Sequence, residues 1–218
     1  MKVTKLLIFS AILLLAMVAL AQEFPRVELG FDYSYSRYAP SAPYSKGHSL
    51  NGGGGSAVLN ITHYLGIKMD LQGYGSNETS FNIARNQTFP NGLSGKVQGN
   101  LFTFLFGPEF KLRAPILHPF VHALFGGAHS NVYSNAYKHL CINPLQTGTC
   151  SFTAKPVNDA FAMALGGGLD IPVHRNVSIR PVEIDYLITQ FDNPFTGGSS
   201  QHNFRYSGGI VFTFGHTH

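Results

Sequence analysis

Tryptophan is absent from these 218 residues, cysteine occurs twice, and only 12% of positions are charged. A charge content about half the usual ~25%, with 44% hydrophobic residues, excludes a disordered chain or a coiled coil. After position 21 no run approaches the ~18 consecutive apolar residues that a membrane helix requires. No Cys-x-x-Cys occurs, so a thiolate metal centre has no starting point. What is abundant is Gly (24), Phe (18) and Tyr (10).

Residues 1–21 have the anatomy of a secretory signal peptide. Lys2 and Lys5 precede an apolar stretch from Leu6 to Leu20, and Ala19-Leu20-Ala21 forms a small-x-small cleavage site. Cleavage after Ala21 leaves 22–218 as one domain with thirteen basic and eleven acidic residues. A nucleic-acid partner is excluded by that near balance. In an oxidising compartment Cys141 and Cys150 are expected to close a small disulfide ring.

From Arg26 onward hydrophobicity alternates with period two. Val27, Leu29, Phe31, Tyr33 and Tyr35 interleave with Glu28, Gly30, Asp32, Ser34 and Ser36. Similar segments predict eight strands, near 26–38, 50–61, 65–76, 95–112, 118–132, 157–171, 177–191 and 202–214. Gly107-Pro108 is expected to mark a bulge that resets the phase of the fourth. The gaps between strands alternate long and short, the signature of an up-and-down barrel with short turns at one rim. An eight-strand bore is only just wide enough for side chains, so the bulky aromatic set must face out and the small and charged set in. A soluble lipocalin-like barrel, with the faces reversed, is the structural rival.

This assignment turns Glu28, Asp32, Lys68, Asp70, Lys96, Glu183, Asp185 and Arg205 into the bore. Buried charge must be paired, so a salt-bridged plug that fixes the register is expected, with a gated polar path as the alternative. Acids outnumber bases in the set; either Arg180 or Arg113 contributes or one acid is protonated. Tyr33, Tyr35 and Tyr38 fall at one end of the barrel with Phe204 and Tyr206, and Phe212 and Phe214 at the other, as two aromatic girdles.

Ten histidines raise the question of a metal. His118 and His122 share a strand face but lie ~13 Å apart, and His216 and His218 sit on the terminus, so solvated or interfacial histidines and no metal are expected. Gly52 to Gly55 lacks the GK[ST] ending of a phosphate loop. For a serine hydrolase the nearest pieces are His129 and Ser134, yet neighbouring His129 and Ser130 point to opposite faces and no Gly-x-Ser-x-Gly occurs. No catalytic residue and no cofactor are assigned.

The segments GGGGSAVLNITHYLGIKMDLQGYG (52–75), FTFLFGPEFKL (102–112), HPFVHALFGGAH (118–129), IRPVEIDY (179–186) and NFRYSGGIVFTFG (203–215) together resemble the bacterial outer-membrane β-barrels of the small OmpA-like or OmpX-like type. The resemblance implies an all-β, eight-stranded antiparallel up-and-down transmembrane barrel with short periplasmic turns and long extracellular loops. It also implies location in the cell outer membrane, contact with outer-membrane lipid, and periplasmic chaperones and the insertion machinery as assembly partners. The chain departs from the family pattern in following Phe214 with Gly215-His216-Thr217-His218. The expected function is a non-enzymatic structural or surface-interaction role; a narrow solute channel and, further off, a lipid-modifying hydrolase are the alternatives.

Overall fold

The computed structural model describes residues 24–38, 48–76, 79–83, 93–97, 100–130, 159–190, 192–193, 197–198 and 200–216. The expected signal peptide, the Cys141–Cys150 disulfide and Ser134 lie outside these residues. The strands are β1 (Pro25–Tyr38), β2 (His48–Asn60), β3 (Leu65–Ser76), β4 (Thr79–Ile83), β5 (Leu93–Val97), β6 (Asn100–Lys111), β7 (His118–Ser130), β8 (Asp159–His174), β9 (Val177–Gln190), β10 (Asp192–Asn193), β11 (Gly197–Gly198) and β12 (Gln201–His216). Eight of them close a barrel in the order β1-β12-β9-β8-β7-β6-β3-β2, while β4 pairs with β5 and β10 with β11 in separate ladders. Every barrel pair is antiparallel, and β1 seals the ring against β12.

Strand length fits a bilayer. A 12-residue strand such as β3 spans about 40 Å, and at the ~40° tilt of such a barrel it rises about 30 Å, the thickness of the hydrocarbon core. The orientation of the faces follows the same physics. Phe31 is 60% exposed and Leu165 46%, whereas Arg205 and Lys68 are wholly buried. A soluble barrel would reverse these values.

The strand β6 corrects one expectation. Its exposure alternates without a break from Asn100 to Lys111. The pairs Lys68↔Gly107 and Ile67↔Pro108 keep register on one side, and Phe106↔Phe125 and Glu109↔His122 keep it on the other. There is no bulge. Pro108 forgoes one ladder hydrogen bond but keeps its phase. Gly107 is required because the backbones press together: a Cβ there would stand 2.1 Å from the Ala123 carbonyl oxygen. The predicted fourth strand, 95–112, is in fact two elements, β5 and β6. Lys96 therefore lies opposite Ser80 in the β4–β5 ladder, not in the barrel wall, and Asn100 is exposed.

The ladders lose register instead around Pro181, and again between Pro172 and His174 next to the β8–β9 turn. Register shifts between Ser207 and Gly209, opposite Glu183 and Arg180. Residues three apart normally face opposite sides of a strand. Here Pro181 and Val182 are both exposed, so Arg180 and Glu183 both turn inward.

Candidate functional site

The bore is packed with a continuous network of ion pairs. Near the end bearing the short turns, Lys111 Nζ donates to Glu28 and, at 3.0 Å, to Asp170. Arg180 donates to both oxygens of Asp170, at 2.7 and 3.0 Å, and at 2.7 Å to Glu183. Lys68 reaches Glu183 at 2.7 Å and Glu109 at 3.6 Å. Phe120 stands among these cations, its ring centroid 4.4 Å from the Arg180 guanidinium and 5.1 and 5.2 Å from the ammoniums of Lys68 and Lys111.

Further along the bore, Arg205 bridges Asp70 at 2.7 Å and Asp185 at 2.6 Å. His122 Nε2 donates to Asp185 at 2.7 Å and lies 3.9 Å from Glu183. Gly166 makes room for this group, since a Cβ there would sit 1.9 Å from Asp185 Oδ1. Asp32, half-buried, accepts from Gln72 at 2.7 Å.

Seven of the eight charges expected in the bore are thus brought together, and Lys96 is not. Sequence reading missed Glu109, Lys111, Asp170 and His122 as members. The supposed phase reset at Pro108 hid Glu109 and Lys111. His122, expected to be solvated, is buried because its face of β7 also carries Phe120 and Leu124. Arg180 and Arg113 do contribute, the latter by donating to Glu28 at 2.6 Å and to the His63 carbonyl.

The half of the bore beyond Arg205 is different in kind. Ser34 shares hydrogen bonds with Tyr74 at 2.9 Å and Ser207 at 3.0 Å, and Thr189 donates to Gln201 at 2.9 Å. Leu101, Ala128, Ala162 and Leu187 fill the space between, all almost fully buried.

By spacing alone His122, Glu183 and Asp185 could hold a metal ion. Their carboxylates are already engaged by Lys68, Arg180 and Arg205, so the positive charge there belongs to the protein's own side chains. At the loop end His129 meets Asp159 at 2.7 Å, both exposed, while Ser130 is buried on the opposite face.

On the outer surface Tyr33, Phe204 and Tyr206 are exposed toward the loop end, with Tyr35 partly covered, and Phe212 and Phe214 are exposed toward the turn end. The Tyr33 hydroxyl donates to Asn51 at 2.8 Å, and the Tyr35 hydroxyl pairs with Ser49 at 2.7 Å. The Tyr38 side chain lies outside the described residues.

An apolar exterior around an ion-paired interior defines a closed up-and-down membrane barrel. Two solved structures share this architecture. Neisserial surface protein A (NspA) is 11% identical, with a TM-score of 0.56 over 86% of this chain and 97% of its own. Outer membrane protein OprG from Pseudomonas aeruginosa is 10% identical, with a TM-score of 0.50 over 88% of this chain and 97% of its own. No protein-family model and no curated protein matches the sequence. The chain has the fold of the eight-stranded outer-membrane β-barrels.

Proposed function

We propose that this chain is a non-enzymatic barrel of the bacterial outer membrane with a structural or surface-interaction role, its bore closed by the charge network. The observation that carries the reading is the burial of Lys68, Glu109, Lys111, Asp185 and Arg205 to 2% exposure or less, from the turn end of the bore inward. Side chains that water does not reach leave no path for a solute. In this reading the apolar exterior contacts outer-membrane lipid, the Tyr and Phe residues at the two rims form interfacial girdles, and the turn end faces the periplasm. Residues 1–21 direct export and are removed after Ala21, and periplasmic chaperones and the insertion machinery deliver the chain. The Cys141–Cys150 pair is oxidised there. Surface interactions fall to the long connections on the opposite rim.

Two measurements test the proposal. Amino-terminal sequencing of the membrane-fraction protein should begin at Gln22. The purified barrel in planar bilayers should give no discrete conductance steps; reproducible steps would replace the plug with the narrow-channel alternative.

A further inference from the structure

The turn end of the barrel opens into a cavity of about 490 Å³. Three turns converge on it. The β2–β3 turn presents His63, held in place because Ile61 and Thr62 N–H groups both donate to the Leu65 carbonyl and Thr62 Oγ1 accepts from Leu65 N at 3.0 Å. The β6–β7 connection brings Arg113, with His118 at the start of β7. The end of β8 and the turn after it bring His174 and Arg175.

Two acids, Glu28 and Asp170, also line the cavity, but their oxygens are taken. Glu28 accepts from Asn60, Lys111 and Arg113, and Asp170 from Lys111 and Arg180. The side chains of His118, His174 and Arg175 make no hydrogen bond among the described residues. His63, buried in the wall, leaves Nδ1 without a partner. Of the fixed cations in the lining, Arg113 is held by Glu28, while Arg175 has no partner among the described residues. The unused capacity of the cavity is for donating hydrogen bonds to negative charge.

We propose that this cavity binds a small phosphate-class anion, free phosphate or a phosphate ester. A tetrahedral phosphate offers enough acceptor oxygens for guanidinium and imidazole donors from separate turns. A planar carboxylate satisfies fewer of these donors. The volume leaves room for an ester substituent beside the phosphate. This site is independent of whether the bore beyond it is closed.

The test uses the full mature barrel refolded in phosphatidylcholine nanodiscs, with the imidazole resonances followed by NMR. Inorganic phosphate should shift resonances of His63, His118 and His174 saturably, and acetate much less. Arg175→Gln, at an exposed position, should weaken phosphate binding about tenfold. Arg26→Gln, an exposed arginine that does not line the cavity, should leave it unchanged. A second arm replaces part of the phosphatidylcholine with phosphatidylglycerol. Shifts in that arm alone, abolished by Arg175→Gln, would support the same site with a lipid headgroup as its source. No saturable shift in either arm, or equal weakening by both substitutions, overturns the proposal.

Discussion

The two halves of the bore solve one problem in opposite ways. Toward the turns the space between strands is filled by long charged side chains, each held by at least one opposite charge. Toward the loops it is filled by Ser, Thr, Ala, Leu, Tyr and Gln, joined by a few neutral hydrogen bonds. The neutral half resembles an ordinary core in energetic terms: each contact contributes modestly and can be lost singly. The charged half does not. Its ions lie in a medium that does not solvate them, so the network is tolerable only when complete.

The contrast is broken most sharply at Arg180, which serves both Asp170 and Glu183. Arg180→Ala leaves two buried carboxylates short of a partner and should cost about 3–5 kcal/mol. The measurement is urea unfolding of the refolded barrel, read by the mobility difference between unheated and boiled protein. In the neutral half Thr189→Val, which removes the donor to Gln201, should cost only about 1 kcal/mol in the same assay. Equal effects would mean that the halves are energetically alike. A third substitution checks the exterior. Leu165→Arg places charge on the lipid-facing wall and should destabilise by about 2–4 kcal/mol if that position lies near the bilayer midplane.

Much of this was legible in the residues. Alternation located all eight barrel strands, because one side of each wall must suit hydrocarbon while the other must fit a narrow bore. Glu28, Asp70, Glu183, Asp185 and Arg205 could be turned inward on that basis alone. Prolines were the obstacle. In a strand, proline announces a lost hydrogen bond but not whether the phase survives. At Pro108 it survives, so Glu109 and Lys111 join the network unforeseen; at Pro181 it does not, so Arg180 and Glu183 share a face. Partnership was also illegible, since Lys68 and Glu183 stand 115 residues apart. The turn-end cavity needed three separated turns to be brought together in space.

A finer comparison is available within the charged half. Arg205 touches Asp70 and Asp185, which sit on different strands. In a double-mutant cycle on Arg205→Met and Asp70→Asn, the double variant should be more stable than the sum of the single losses predicts. The coupling should be about 1–3 kcal/mol. The corresponding cycle on Thr189→Val and Gln201→Leu should show less, because neutral partners leave a smaller penalty behind when orphaned. A coupling near zero at Arg205 would mean that the carboxylates redistribute among the remaining cations.

The smallest effect expected is at the turn end, where the charged bore meets solvent. Burial, with Arg113 and His118 nearby, holds the His63 imidazole below its ordinary pKa of 6.5. The unfolded chain therefore takes up a proton on this residue at a pH where the folded chain does not. Stability is unaffected well above pH 6.5, falls as the pH drops through that value, and stops falling once the folded imidazole also protonates. His63→Gln should flatten this part of the profile, read as the urea midpoint of wild type and variant at successive pH values in phosphate-free buffer. If the cavity takes phosphate as proposed, adding it should also shallow the wild-type decline, since a bound anion favours the charged imidazole. A decline identical in wild type and His63→Gln would assign it to groups other than His63.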